Sequence, residues 1–82
     1  MKVKLIIPPD ITSVTQGYIG EIFVHKGQQV KMYDPIMEIE TGKAPFKELA
    51  LVDGVITEIC VEKDIYVPDK TVLYKIDYNL KN

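Results

Sequence analysis

The segment GYIGEIFVHK, residues 17–26, indicates the architecture, because a close copy follows later in the chain as GVITEICVEK, residues 54–63. The two copies are offset by 37 residues and stay in step as far as residues 40 and 77. Each copy is one strand-turn-strand unit with an uncovered apolar face, so the two are expected to pack together and bury both faces. The identical positions are Gly17/Gly54, Ile19/Ile56, Glu21/Glu58, Ile22/Ile59, Val24/Val61, Lys26/Lys63, Val30/Val67 and Ile39/Ile76.

Short apolar runs separated by Gly, Pro and Asp predict strands along the whole chain, with no sustained helical periodicity. The predicted strands are residues 2–7, 17–24, 35–40, 45–49, 54–61 and 72–76. Many short strands are typical of a sandwich or barrel. We therefore predict that residues 1–82 form one all-β domain, since 82 residues rarely divide further. Its expected form is a flattened barrel-sandwich of two small antiparallel sheets with an internal pseudo-two-fold repeat.

The segment between the two copies, residues 41–53, has no counterpart and forms the predicted central hairpin. Gly42-Lys43 suits a two-residue type II′ turn. Taking Thr41 and Ala44 as the flanking pair places three further pairs across the strands, each of which supports this register. They are Ile39 with Phe46, Glu38 with Lys47, and Ile36 with Leu49. Glu40 then pairs with Pro45, which is tolerated where the outer edge is free. Lys43 is expected to project from the end of the molecule.

The composition excludes several classes of function. All ten basic residues are lysines without a cluster, and the net charge is −2, so a nucleic-acid partner is not expected. No apolar run approaches the ~20 residues of a membrane span, and the apolar run near the N-terminus is too short for a signal peptide. We therefore expect no membrane association and a cytoplasmic location. A single cysteine, Cys60, allows no disulfide framework and no thiolate metal site.

The remaining reactive side chains do not suggest catalysis or metal binding. His25 is the only histidine and has no Cys or His near it in sequence, so we interpret it as a solvated turn residue. Cys60 matches Phe23 of the first copy and is interpreted as a packing or partly exposed residue without a paired base. Asp64 stands where the first copy has Gly27, and aspartate tolerates the same left-handed turn.

Residues 40–44, Glu-Thr-Gly-Lys-Ala, resemble the modified hairpin of the lipoyl/biotinyl-attachment domain family, whose lipoyl branch reads Glu-Thr-Asp-Lys-Ala. The family's glycine eleven residues after the lysine corresponds to Gly54. Its upstream pattern, Gly-x-Ile followed by Val-x-x-Gly-x-x-Val, corresponds to residues 17–19 and 24–30. The early proline of lipoyl domains has counterparts in Pro8 and Pro9. The resemblance covers nearly the whole chain.

The resemblance implies that the domain is a carrier and not an enzyme. Lys43 would hold lipoate as an amide, with Glu40, Thr41, Gly42 and Ala44 as the turn that a lipoate protein ligase recognises. The lipoamide arm would shuttle acyl groups or electrons among the components of a 2-oxo acid dehydrogenase-type complex. These components are a dehydrogenase, an acyltransferase and dihydrolipoamide dehydrogenase. The family's termini lie at the end opposite the lysine.

Two alternatives stay open at this point. The biotinyl branch has Met on both sides of its lysine, where this chain has Gly42 and Ala44, so the flanks favour lipoate over biotin and a carboxylase role. An unmodified structural or protein-interaction module on the same fold is the other alternative, because Gly42 replaces the usual acidic neighbour. Glu48 stands where the family usually has an apolar residue, and a local bulge is expected to turn it outward.

Overall fold

The computed structural model describes residues 9–78, which contain eight strands and no helix. In chain order the strands are β1 (Asp10–Thr12), β2 (Gly17–Ile22), β3 (Gln29–Val30), β4 (Pro35–Glu40), β5 (Pro45–Leu49), β6 (Gly54–Ile59), β7 (Tyr66–Val67) and β8 (Val72–Asp77). They form two four-stranded antiparallel sheets, one in the order β1-β8-β6-β3 and the other in the order β5-β4-β2-β7. The predicted all-β fold of two small antiparallel sheets is confirmed.

The predicted strands differ from the observed ones mainly at their ends. Strands 35–40 and 45–49 are confirmed to the residue, and 72–76 extends by one residue. The two strands predicted to end at Val24 and Val61 stop at Ile22 and Ile59, and each carries a register irregularity before its end. Strands β1, β3 and β7 were not predicted, since two or three residues are too few to show a period. The predicted strand over residues 2–7 lies outside the described residues.

The two sequence copies are related by a pseudo-two-fold axis in the structure. The amide of Gly27 donates to the carbonyl of Ile56 at 2.7 Å, and the equivalent amide of Asp64 donates to the carbonyl of Ile19 at the same distance. Gly27 and Asp64 both have left-handed backbones, with φ of 89° and 70°. The prediction that Asp64 takes over the turn of Gly27 is confirmed.

The copies exchange strands across the axis. Strand β3 of the first copy pairs with β6 of the second, and β7 of the second pairs with β2 of the first. Each sheet is therefore built from both copies, and the apolar faces meet between the sheets. The buried hydrophobic residues are Ile11, Ile19, Val24, Val30, Ile36, Met37, Ile39, Ala50, Ile56, Val67, Leu73, Tyr74 and Ile76.

Two equivalent glycines allow neighbouring strands to approach closely. A Cβ on Gly17 would overlap the carbonyl oxygen of Glu40, and a Cβ on Gly54 would lie 2.6 Å from the carbonyl oxygen of Asp77. Real Cβ atoms do not come this close to backbone oxygen, so both positions need a residue without a side chain. The contact at Gly17 fixes strand β2 against the last residue of β4, directly below the central hairpin.

The predicted register of the central hairpin is confirmed near the turn and is wrong at the other end of the two strands. Glu40 pairs with Pro45, Ile39 with Phe46 and Glu38 with Lys47, as predicted. Leu49, however, pairs with Pro35 and not with the predicted Ile36. Strand β4 advances two residues where β5 advances one, so Ile36 is the extra residue of a β-bulge.

Candidate functional site

The turn that joins β4 to β5 holds Lys43 at an exposed position. Gly42 has a φ of 92°, the left-handed region that the predicted turn requires at its first central residue. A Cβ on Gly42 would meet nothing within 4 Å, so this position of the turn faces open space. The hydroxyl of Thr41 donates to the carbonyl oxygen of Ala44 at 2.8 Å and ties the two ends of the turn together. Residues 42–45 are all exposed.

The base of the turn is firmly held, although its tip is free. Strand β4 lies between β5 and β2, so it is hydrogen-bonded on both edges. Ile39, one residue below Glu40, is completely buried. The backbone below Lys43 is therefore held on both sides, while its side chain is exposed. Such an arrangement presents one amine to a partner and leaves little else for that partner to displace.

A groove lies beside the lysine on the outer face of the same sheet. It has a volume of about 440 Å³ and is lined by the turn, including Lys43, and by Tyr18 and Tyr66. The two tyrosines are cross-strand partners on β2 and β7. Their ring centroids are 5.3 Å apart with planes at 70°, an edge-to-face pair. Tyr18 also pairs with Glu40, so the row Tyr66–Tyr18–Glu40–Pro45 crosses the sheet at the foot of the turn.

Sequence reasoning missed these tyrosines. Strand β7 has only two residues, and Tyr66 is far from Tyr18 along the chain, so no local pattern predicts the pair. The repeat does contain a signal. Tyr18 and Tyr66 stand opposite Val55 and Gln29 in the other copy, so both are places where the copies differ.

Glu48 does not turn outward as predicted. It pairs with Met37 next to the bulge, but the extra residue lies on β4, so the alternation of β5 continues and Glu48 stays on the inner side. The side chain is 8% exposed, and its burial raises the pKa of the carboxyl group above the ordinary value of 4.5. Strand β1 pairs with β8 as β5 pairs with β4, so Ile11, opposite Tyr74, is the structural equivalent of Glu48, opposite Met37. Ile11 is also buried.

The other reactive residues are not assembled into a site. His25 and Cys60 are exposed on separate turns and strand ends. Burial of the thiol, followed by the charge of Glu58, raises the pKa of Cys60, which is the opposite of what an activated nucleophile needs. Among residues 9–78, no group of three or more His, Cys, Asp or Glu side chains is placed to hold a metal ion. No helix in the same part of the chain is long and apolar enough to cross a membrane.

The chain matches the protein-family model Biotin_lipoyl, described as "Biotin-requiring enzyme", over residues 3–76. The chain belongs to the biotin/lipoyl family. An exposed lysine on a turn fits the covalently attached lipoate or biotin that this family carries. A comparison with curated protein sequences gave no match.

Solved structures similar to this biotin/lipoyl domain include a lipoyl domain and two carboxylases. The lipoyl domain of the 2-oxoglutarate dehydrogenase complex from Azotobacter vinelandii is 30% identical with a TM-score of 0.69, over 90% of this chain and 94% of that one. A single-chain, multi-domain long-chain acyl-CoA carboxylase is 12% identical with a TM-score of 0.81, over 96% of this chain. Kluyveromyces lactis urea carboxylase is 17% identical with a TM-score of 0.78, over 93%.

The biotin/lipoyl domain spans only 8% and 7% of the two carboxylase chains. At those identities the similarity shows a shared fold. The domain fold is therefore found both as a lipoyl domain of similar length and as a small part of much longer carboxylases.

Proposed function

We propose that this domain is a lipoyl carrier and that Lys43 is the residue to which lipoate is attached as an amide. The observation that carries the proposal is the position of Lys43. It lies at the exposed end of the hairpin that the duplicated frame does not repeat, above a strand that is hydrogen-bonded on both edges. Thr41 and Ala44 match the lipoyl branch of the family, and the similar structure with 30% identity is a lipoyl domain.

When bound, lipoate supplies a disulfide ring that accepts acyl groups and electrons. The protein's own part is presentation. Gly42 and Thr41 shape the turn, and the buried Ile39 below holds its base still. A lysine presented in this way suits a lipoate protein ligase and, after modification, the dehydrogenase, acyltransferase and dihydrolipoamide dehydrogenase components of a complex. Tethering raises the effective concentration of the arm to the order of millimolar at each active site.

Biotin attachment and a carboxylase role form the second candidate. The two carboxylase structures with TM-scores of 0.81 and 0.78 favour it. The residues beside the lysine favour lipoate, since Gly42 and Ala44 stand where biotinyl domains have methionine. A domain that keeps the fold without any modification is the third candidate, supported by Gly42 in place of an acidic residue.

Co-expression with a lipoate protein ligase in the presence of lipoate tests the proposal. We expect the intact mass to rise by one lipoyl group in the wild-type domain and to stay unchanged in Lys43→Ala. Lys47→Ala is the matched control, because Lys47 is also exposed and lies on the same hairpin, and this variant should still gain the group.

A parallel co-expression with a biotin protein ligase separates the first two candidates. An adduct with biotin and none with lipoate would assign the domain to carboxylase chemistry. No adduct from several ligases of either kind would leave the unmodified module. In that case Gly42→Asp, which restores the acidic neighbour, shows whether the turn sequence prevents recognition.

A further inference from the structure

We propose that Tyr18 and Tyr66 form a docking shelf for the modified arm of Lys43, taking an aliphatic chain that ends in a sulfur-containing ring. This inference rests on the proposed attachment at Lys43. It adds a second state to the carrier, in which the arm lies along the domain and not in solvent. Lys43 and the two tyrosines line the same groove, so an arm attached to the lysine enters it without passing any other part of the described chain.

The chemistry of the groove suits such an arm. Tyr18 and Tyr66 are 56% and 49% exposed, which leaves large aromatic surfaces open to a ligand. Aromatic rings make favourable contacts with sulfur and with aliphatic carbon, and a tyrosine hydroxyl adds a polar end. Lipoate and biotin share the aliphatic chain and the sulfur-containing ring, so the shelf fits the common part of both.

The internal repeat shows that the fold does not require the tyrosine pair. By the offset of 37 residues, the equivalents of Tyr18 and Tyr66 are Val55 and Gln29, which are also cross-strand partners at the same place in the other sheet. That sheet keeps the same architecture with one aliphatic and one polar residue. Among residues 9–78, the aromatic pair lies on the sheet that carries the Lys43 turn.

The distances within the sheet bring the lysine and the shelf together. Glu40 pairs with Tyr18, and Tyr18 pairs with Tyr66, so the tyrosines lie one and two strands from the foot of the turn. With strands about 4.8 Å apart, Tyr66 is about 10 Å to the side of Glu40. Lys43 lies in the two-residue turn, on the β5 side, about two residues or 7 Å beyond the pair Glu40 and Pro45 along the strand direction. The groove runs from Lys43 to both tyrosines, so a lysine lengthened by an acyl chain has a continuous path to the rings.

Nuclear magnetic resonance of the modified domain tests the shelf. The domain is loaded on Lys43 by co-expression, and the intact mass first establishes that loading has occurred. We expect the ring protons of Tyr18 and Tyr66 to shift on loading and to show nuclear Overhauser contacts to the arm. The ring of Tyr33, which is 71% exposed elsewhere on the molecule, should show neither effect.

Variants establish which side chains are responsible. The contacts should be lost in the double variant Tyr18→Ala/Tyr66→Ala and kept in Tyr18→Phe/Tyr66→Phe, since the rings and not the hydroxyls form the shelf. The matched control, Gln29→Ala/Val55→Ala, changes the equivalent row of the other sheet and should leave the contacts intact. Loading with lipoate and with biotin in separate samples shows which arm the groove holds.

The two proposals fail in different ways. Absence of any adduct in the mass spectrum contradicts attachment at Lys43. A fully loaded wild-type domain whose tyrosine rings neither shift nor contact the arm overturns the shelf and leaves the attachment intact. The wild-type spectra decide this alone, so the outcome does not depend on whether the alanine variants fold.

Discussion

Glu48 is the residue that departs most from the duplicated frame. Its equivalent, Ile11, is an ordinary core residue, whereas Glu48 places a carboxyl group at the same depth. The carboxyl group of Glu48 is close enough to Tyr74 to affect the titration of the tyrosine hydroxyl. Burial, and secondarily the charge of Glu48, raises the pKa of the Tyr74 hydroxyl to about 12. Among residues 9–78 that hydroxyl, fully buried, has no hydrogen-bond partner.

Replacing Glu48 by isoleucine, the residue found at the equivalent position, should stabilise the domain at pH 7. Because burial raises the pKa of the Glu48 carboxyl above its unfolded value, folding favours the protonated form relative to the unfolded chain. The contribution of Glu48 to stability is therefore most favourable below the unfolded pKa, near 4.5, and is lost as the pH rises through the folded pKa. We expect Glu48→Ile to gain about 1–3 kcal/mol at pH 7, with a smaller difference from wild type at pH 4.5.

Urea unfolding at several pH values measures this effect. Glu62→Gln serves as the control, since Glu62 is exposed in the turn after β6 and should change little. A gain for Glu48→Ile that is the same at pH 4.5 and pH 7 would show that packing, and not the buried charge, is responsible.

At the scale of single elements, the two close approaches at Gly17 and Gly54 determine how tightly the strands pair. Gly17→Ala and Gly54→Ala should each cost about 1–3 kcal/mol, because the new methyl group is forced against backbone oxygen in either case. Gly20→Ala is the matched control on β2, where the Cβ would lie 3.3 Å from the nearest atom, the carbonyl oxygen of Glu38. We expect it to cost clearly less.

Thermal unfolding of the three glycine variants provides the measurement. Only Gly17→Ala should also perturb the amide signals of residues 40–45, since its contact is with Glu40. Equal unfolding temperatures for all three variants would contradict this account of the close approach.

The elements also show how far sequence could predict the fold and the site. Strands β4 and β5 and the turn between them follow from local alternation, from Gly42 and from opposed pairs such as Glu38 with Lys47, all of which lie close together in the chain. The bulge at Ile36 could not be predicted, because Ile36 opposite Leu49 is as plausible an apolar pair by local pattern as any other. The register shift between Pro35 and Met37 is seen only in the pairing of the assembled strands.

For the candidate site, too, the local features were predictable and the long-range ones were not. Lys43 stands out because it lies outside the repeat, and the turn residues around it follow from local chemistry. The tyrosine pair joins two strands that no short window relates, and β7 is defined only by its pairing with β2. Features made by distant strands are therefore the part that sequence reasoning missed.

At the scale of the whole molecule, the exchange of strands makes the two copies mutually dependent. Fragments 1–44 and 45–82, divided at the central turn, should not fold separately, because β3 would lose its partner β6 and β7 would lose β2. An equimolar mixture should recover the fold, since the break lies in an exposed turn.

Circular dichroism and amide spectra of each fragment and of the mixture measure the recovery. Its extent should depend on concentration, as expected for association. A cooperative unfolding transition in either fragment alone would show that one copy is sufficient for folding.

The amide of Ile76 donates to the carbonyl of Pro9 at 2.9 Å. In the duplicated frame, Ile76 and Pro9 are equivalent to Ile39 and Phe46, the pair below the Lys43 turn. The pseudo-two-fold symmetry gives the domain two equivalent ends. At one of them the chain reverses in a turn, and at the other it enters β1 and leaves β8. With the proposed attachment at Lys43, the arm is carried at the end where the chain reverses, so a nearly symmetric frame presents its arm in one direction.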